Sequence, residues 1–243
     1  MKKFLIFWRK IFFINLAFSE SLALNKIKTM NTGSQPKQVL FSPDNKYLVL
    51  PLLDDKGFRV INTKNTEDSK VISPPNSSKL GFAEGLFIPE KNAFFVSQMT
   101  TGNIYEYSYP GFEYKRTLST GGTWSKFIAW NKDKNLLAVS NWVSNNVSII
   151  EYDTGKIKKI IPTGVAPRGI SFLSKGEEIL VACYDGGQIQ KFQTSDGKKL
   201  SEYKVEKSAM RHIVLNSSES KAYISDMYHF TTFEFDVKTF TVT

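Results

Sequence analysis

Residues 130–172 read WNKDKNLLAVSNWVSNNVSIIEYDTGKIKKIIPTGVAPRGISF, and this stretch decides the fold. Three short apolar runs, 136–140, 147–152 and 157–161, are separated by Asn-rich and Asp-Thr-Gly-Lys turns, and a fourth run, 169–172, opens the next unit. Runs of this length, rich in Val, Ile and Leu and bounded by turn residues, are strands. The stretch therefore predicts a unit of four short strands joined by tight turns.

The unit recurs along the chain. Aligning the first-strand anchor gives Phe41, Phe87, Trp130, Phe172 and Leu215, with separations of 46, 43, 42 and 43 residues. Independent loops would not keep such a period, whereas a repeat architecture does. After each anchor the second strand ends in a tetrad: 49–52 (VLPL), 95–98 (FVSQ), 138–141 (AVSN), 180–183 (LVAC) and 223–226 (YISD). The turn Ser42-Pro43-Asp44-Asn45 joins two strands of the first unit, with Pro presetting the backbone and Asp/Asn accepting local hydrogen bonds; Pro89-Glu90-Lys91-Asn92 stands at the same place in the second. Apolar residues occupy both parities of many strands, so both faces of each small sheet need a neighbour and a single unit should not fold alone.

In the order SNW…NNVSIIEYDTGKIKKIIPTG…PRGISF the chain resembles the YVTN β-propeller repeat, WD40-like in architecture, in which a Tyr-Val-Thr-Asn-like strand end precedes a Val-x-Val-Ile-Asp strand, a Thr-Gly-Lys hairpin and a Pro-x-Gly start to the next inner strand. Residues 138–141 occupy the signature tetrad; units one and four depart most from it. The resemblance implies an all-β propeller of about five four-stranded antiparallel blades, over 26–72, 73–118, 119–160, 161–204 and 205–243. Five units are fewer than the seven usual for such propellers, so an open or partial ring is expected, with exposed blade edges available for self-association. Residues 26–33 resemble the outer-strand end IKKIIPTG and could lend a closing strand to the last unit, yet the C-terminal residues 240–243 begin that same strand.

Composition bounds the rest. At 243 residues, 41% apolar and 14% aromatic, the chain can build a sizeable core. Its formal charge of +9 favours acidic partners, but Lys2, Lys3, Arg9 and Lys10 account for four of the basic groups. With the apolar run 11–18 and the small residues Ser19, Ser21 and Ala23, those cations read as a signal peptide over 1–23, implying export to a bacterial periplasm, cell surface or exterior. The apolar run is shorter than the ~20 residues that span a bilayer, so no transmembrane span is expected after cleavage. The single cysteine, Cys183, excludes an intrachain disulfide framework and a cysteine-based metal cluster.

One repeated position carries the functional reading. Four residues before each anchor stand Lys37, Ala83, Lys126, Arg168 and Arg211, a cation in four units of five; if the second unit slips by one residue, Glu84 replaces it. By the resemblance this is the x of Pro-x-Gly, at the start of the innermost strand near the channel mouth, so the cations would converge. Converging Lys and Arg beside low-dielectric walls focus a positive potential, and Arg grips carboxylate or phosphate with two bonds. The expected ligand site is thus Lys37, Lys126, Arg168, Arg211 and His212, and the expected partner a protein, a glycan or another anionic ligand. The competing reading is a rim of solvated charges. Trp124, Trp142, Tyr184, Met227 and Tyr228, near strand ends, offer stacking surfaces for sugar or nucleobase rings, or else pack between blades.

The sequence assigns no catalytic residue, no metal site and no cofactor. It lacks a Gly-x-Ser-x-Gly elbow, a His-Glu-x-x-His pair, a phosphate loop and a dinucleotide fingerprint. Lactonase and redox dehydrogenase propellers share the architecture, but their metal set or histidine ligands are not recognisable at matching positions, and architecture does not carry an activity over. The expectation is an exported, non-enzymatic binding module, with a divergent propeller enzyme or a non-specific nucleic-acid binder as alternatives.

Overall fold

The second strand of each of the three middle blades is buried on both sides: Ala93–Gln98 and Leu136–Asn141 throughout, and Glu178–Cys183 in all but its first residue. That is the burial expected of strands sandwiched between neighbouring sheets. The computed structural model describes residues 25–26 and 28–243. The basic, apolar and small residues read as a signal peptide, 1–23, lie outside the described residues.

Thr32–Thr243 clusters as one unit. It holds five four-stranded antiparallel sheets, each made from consecutive strands in simple order. Blade 1 is β1 Leu40–Phe41, β2 Tyr47–Pro51, β3 Phe58–Asn62 and β4 Ser69–Ile72; blade 2 is β5 Phe82–Ile88, β6 Ala93–Gln98, β7 Asn103–Ser108 and β8 Tyr114–Ser119. Blade 3 is β9 Ser125–Asn131, β10 Leu136–Asn141, β11 Asn146–Glu151 and β12 Ile157–Pro162; blade 4 is β13 Pro167–Leu173, β14 Glu178–Cys183, β15 Gln188–Gln193 and β16 Lys199–Lys204. Blade 5 is β17 Met210–Leu215, β18 Lys221–Asp226, β19 Thr231–Asp236 and β20 Thr241–Val242. The inner strands β5, β9, β13 and β17 neighbour one another in succession, the radial arrangement of a β-propeller.

Local chemistry accounts for the turns. In blade 1 the Asn45 amide donates to the Ser42 carbonyl (2.9 Å), the Ser42 hydroxyl to Asp44 (2.9 Å), and the Tyr47 amide to the Ser42 hydroxyl (3.0 Å). At the same place in blade 2, Pro89–Lys91 forms a single 3-10 turn and Asn92 adopts the left-handed conformation that Asn tolerates. The outer strands β8, β12 and β16 carry Lys and Arg on their exposed faces, which guards those edges against pairing with another chain.

Four buried clusters fill the seams between blades 1 and 2, 2 and 3, 3 and 4, and 4 and 5. The first is aromatic: the Phe58 ring meets Tyr107 edge-on at 4.9 Å and Phe94 at 5.0 Å. Each fully buried Phe, Ile or Leu contributes about 1.5–3 kcal/mol, so the seams hold the blades together. Among the described residues no such cluster joins blade 5 to blade 1. Instead Val39 (63% exposed) and Phe41 (61%) lie open on the first blade and Val214 (62%) on the last. The propeller is an open arc. The described residues of 25–33 form no strand, and blade 5 takes its outer strand β20 from its own C-terminal segment.

Candidate functional site

In blades 2 to 5 the inner strand begins at one end of its blade with an irregularity opposite the tetrad. In blades 2, 3 and 5 two residues leave the ladder: 83–84, 126–127 and 211–212. A bulge of this kind re-aims side chains away from the pleat. Opposite each stands the third tetrad residue, Ser97, Ser140 or Ser225, whose hydroxyl accepts the freed amide of Glu84 (3.1 Å), Phe127 (3.1 Å) or His212 (3.2 Å). The hydroxyl then donates to the carbonyl of the next blade's cation: Ser97 to Lys126 (2.7 Å) and Ser140 to Arg168 (3.0 Å). One buried serine thus shapes its own bulge and stitches the following inner strand to it.

Blade 4 has Ala182 at that position. Without a hydroxyl to take its amide, Gly169 returns to the ladder opposite Ala182 and only Arg168 bulges. Gly169 is needed there, since a Cβ would sit 2.9 Å from the Arg211 carbonyl oxygen of blade 5.

The fourth tetrad residue ties down the loop entering the blade. Asn141 accepts from Ser125 Oγ (2.9 Å) and donates to Asn146 Oδ1 and Ser148 Oγ (both 2.8 Å). Gln98 donates to the Lys79 carbonyl (2.8 Å), and Asp226 accepts the Ala209 and Tyr228 amides (both 2.8 Å) and meets His229 Nδ1 at 2.7 Å. Burial works to raise the Asp226 carboxyl, but these donors outweigh it and hold it below the usual range. Leu52 and Cys183, the apolar and thiol variants, are wholly buried; burial pushes the Cys183 thiol up to about 12, so it is no nucleophile.

The starts of the inner strands bring the predicted cations together. Lys37, Lys126, Arg168 and Arg211 line one cavity of about 190 Å³, with Trp142, Tyr184 and Met227. Arg168 is buried and its guanidinium pairs with the equally buried Glu84 carboxylate, a bond that reaches from blade 4 to blade 2 across blade 3. Arg168 Nη1 and Glu84 Oε2 are nevertheless buried without a hydrogen-bond partner. Among the described residues, Lys37, Lys126 and Arg211 have no ion-pair partner. Lys126 Nζ lies over the Trp142 ring at 4.7 Å and the Trp124 ring at 5.5 Å. Burial, then repulsion from Arg168 and Lys37, brings its amine down to about 8 against the pull of Glu84. His212 stands one residue beyond the cations, its ring 5.8 Å from Phe127, and burial lowers its basicity. It does not line the cavity.

The second blade follows the register without a slip. Ala83 keeps the position of the cations, and Glu84, the next bulge residue, supplies the carboxylate. Sequence reasoning missed the Glu84–Arg168 bond, which joins residues 84 apart, and the serine stitches. Signals existed for both: an acid next to the recurring cationic position, and a hydroxyl at the third place of three tetrads.

Two larger cavities lie elsewhere. One of about 340 Å³ opens between blades 2 and 3 beside Arg116 and Glu106, and one of about 230 Å³ between blades 3 and 4 beside Lys134 and Glu177. Their charges already satisfy each other, Arg116 with Glu106 and Lys134 with Glu177, each at 2.5 Å. The mouth differs in holding an excess of unpaired positive charge. Among the described residues no three of His, Cys, Asp or Glu are grouped so as to hold a metal ion.

Comparison with known proteins places this geometry. No family model matches the chain. It is 34% identical over 221 residues to Antigen Lp49 of Leptospira interrogans, covering 86% of this chain and 47% of that protein. Among solved structures, dihydro-heme d1 dehydrogenase NirN in complex with DHE superposes with a TM-score of 0.70 at 14% identity, covering 86% of this chain and 47% of that one. The likeness to NirN is one of fold. The chain spans about half the length of both.

Proposed function

We propose that the chain is an exported, non-enzymatic binding module of the YVTN-repeat type, which takes an anionic ligand or partner at the mouth of its arc. The observation that carries this reading is the convergence of four cations from four blades on one cavity, only one of them, Arg168, being paired with a carboxylate among the described residues. Lys126 and Arg168 are buried beside one another, which is costly unless an anion offsets them, and a mouth walled by low-dielectric blades focuses the field outward. Export is supported by the N-terminal pattern of cations, apolar run and small residues, and by the relationship to a protein named as an antigen. Among the described residues no helix is long and apolar enough to cross a membrane.

Calorimetric titration of the purified protein with inorganic phosphate, acetate and an oligogalacturonide at low salt tests the reading. At least one anion should bind, and Arg211→Glu should weaken it about tenfold or more, as expected for losing a hydrogen bond to a charged group. Affinity should fall as pH rises from 7 to 9, because Lys126 loses its proton near 8 and with it the attraction. Lys126→Arg, always charged, should flatten that profile. Binding that is absent, or indifferent to Arg211→Glu, sinks the proposal.

A further inference from the structure

Resting on the anion reading of the mouth, we propose that the bound anion carries a ring beside its charge, aromatic or sugar, so that the ligand is a small ring-bearing phosphate or carboxylate and not a bare ion. Immediately after each tetrad, where the second strand turns toward the third, stand Leu53, Met99, Trp142, Tyr184 and Met227, a large apolar residue in every blade. Because the strands are antiparallel, this position flanks the start of the inner strand: Asn141 pairs with Ser125, and Lys126 and Trp142 are the next residues on either side. Three of these apolar residues, Trp142, Tyr184 and Met227, line the cationic cavity itself.

Their geometry is that of a platform. The Trp142 and Tyr184 rings lie 4.7 Å apart, tilted by 40°, and each is only partly buried. Met227 is 48% exposed, and its sulfur meets Arg211 Nη1 at 3.6 Å. Trp124 and Tyr228 continue the exposed apolar rim. Aromatic faces beside a cavity bind planar rings by stacking, whatever the ring's substituents, and partly open aromatics are what such stacking needs. Behind them, Lys126 and the buried Arg168, whose Nη1 has no partner, present donors to a charged group on that ring. A cavity of about 190 Å³ has room for one ring with one anionic group.

An aromatic ring and a sugar ring share this chemistry, so the test separates them. At pH 7 the full protein is titrated with inorganic phosphate, glycerol 3-phosphate, phenyl phosphate and glucose 6-phosphate. Phenyl phosphate or glucose 6-phosphate, or both, should bind at least about tenfold more tightly than the two ringless phosphates, the order expected from one stacked ring. Which of the two leads identifies the kind of ring. Trp142→Ala with Tyr184→Ala should bring the ring-bearing ligands to within about twofold of inorganic phosphate, which should still bind, a pattern that a merely unfolded variant cannot give. Trp142→Phe should keep most of the preference. If the ringless phosphates bind and the ring adds less than about twofold, or if the preference survives both substitutions, the inference is overturned and the anion reading stands. If none of these phosphates binds, the inference falls, and the anion reading falls with it only if acetate and the oligogalacturonide fail to bind as well.

Discussion

The seams between blades 2 and 3 and between 3 and 4 differ from the seam between 4 and 5 in one atom's worth of chemistry. At the first two, Ser97 and Ser140 carry a hydroxyl from one blade to the inner-strand carbonyl of the next. At the last, Ala182 has none, and the contact is made by apolar packing and by the close approach of Gly169 to Arg211. The bulge beside the alanine is correspondingly one residue shorter. In blades 2 and 3 shaping the bulge and joining the next blade are therefore one operation, performed by a buried hydroxyl. Where it is missing, packing holds the seam but the bulge is reduced to its cation.

This contrast can be broken most forcefully through Arg168, whose backbone receives the Ser140 stitch and whose side chain crosses to Glu84. Arg168→Ala leaves a buried carboxylate without its partner and should cost about 3–5 kcal/mol, read from the denaturant midpoint. Glu84→Leu with Arg168→Met, which removes both charges, should recover most of that loss. A double variant as unstable as the single one would show that packing, and not the uncompensated charge, is responsible.

Removing a stitch alone should matter less. Ser140→Ala deprives the Phe127 amide and the Arg168 carbonyl of their partner and should destabilise by about 1–3 kcal/mol. Hydrogen exchange should quicken at the Phe127 amide and leave the blade 4 to 5 seam unaffected; a uniform increase across all blades would contradict a local role. The smallest effect is expected from Ala182→Ser, which supplies the missing hydroxyl. Its gain of a hydrogen bond is opposed by crowding in a fully buried site, so stability should change by less than about 1 kcal/mol. A loss above about 2 kcal/mol in thermal or chemical melts would mean that the seam cannot adopt the geometry of its neighbours.

Much of this fold is legible in the chain because its determinants are local and periodic. Anchors spaced 42 to 46 residues apart, turn residues between short apolar runs and tetrads in register set out five blades before any coordinate is known. The same register puts Lys126, Arg168 and Arg211 in one class, and the structure places them with Lys37 around one cavity. What the register does not contain is which way a bulged residue points. Glu84 and Ala83 are adjacent, and only the two-residue bulge opposite Ser97 decides that the carboxylate, not the methyl group, reaches Arg168. The apolar position after the tetrads was open to the same alignment, yet Leu53 and Met99 read alone are ordinary hydrophobes; Trp142 and Tyr184 gain meaning from the cations beside them. The openness of the arc shows in Val39, Phe41 and Val214, whose exposure depends on neighbours that local sequence does not specify.

The bond between Glu84 and Arg168 has a mechanical consequence. Stitches and packed seams act between adjacent blades and behave as hinges, whereas this bond skips blade 3 and acts as a strut across the hub. Three rigid plates joined by two hinges and braced by a strut form a triangulated frame, so blades 2, 3 and 4 keep a fixed curvature.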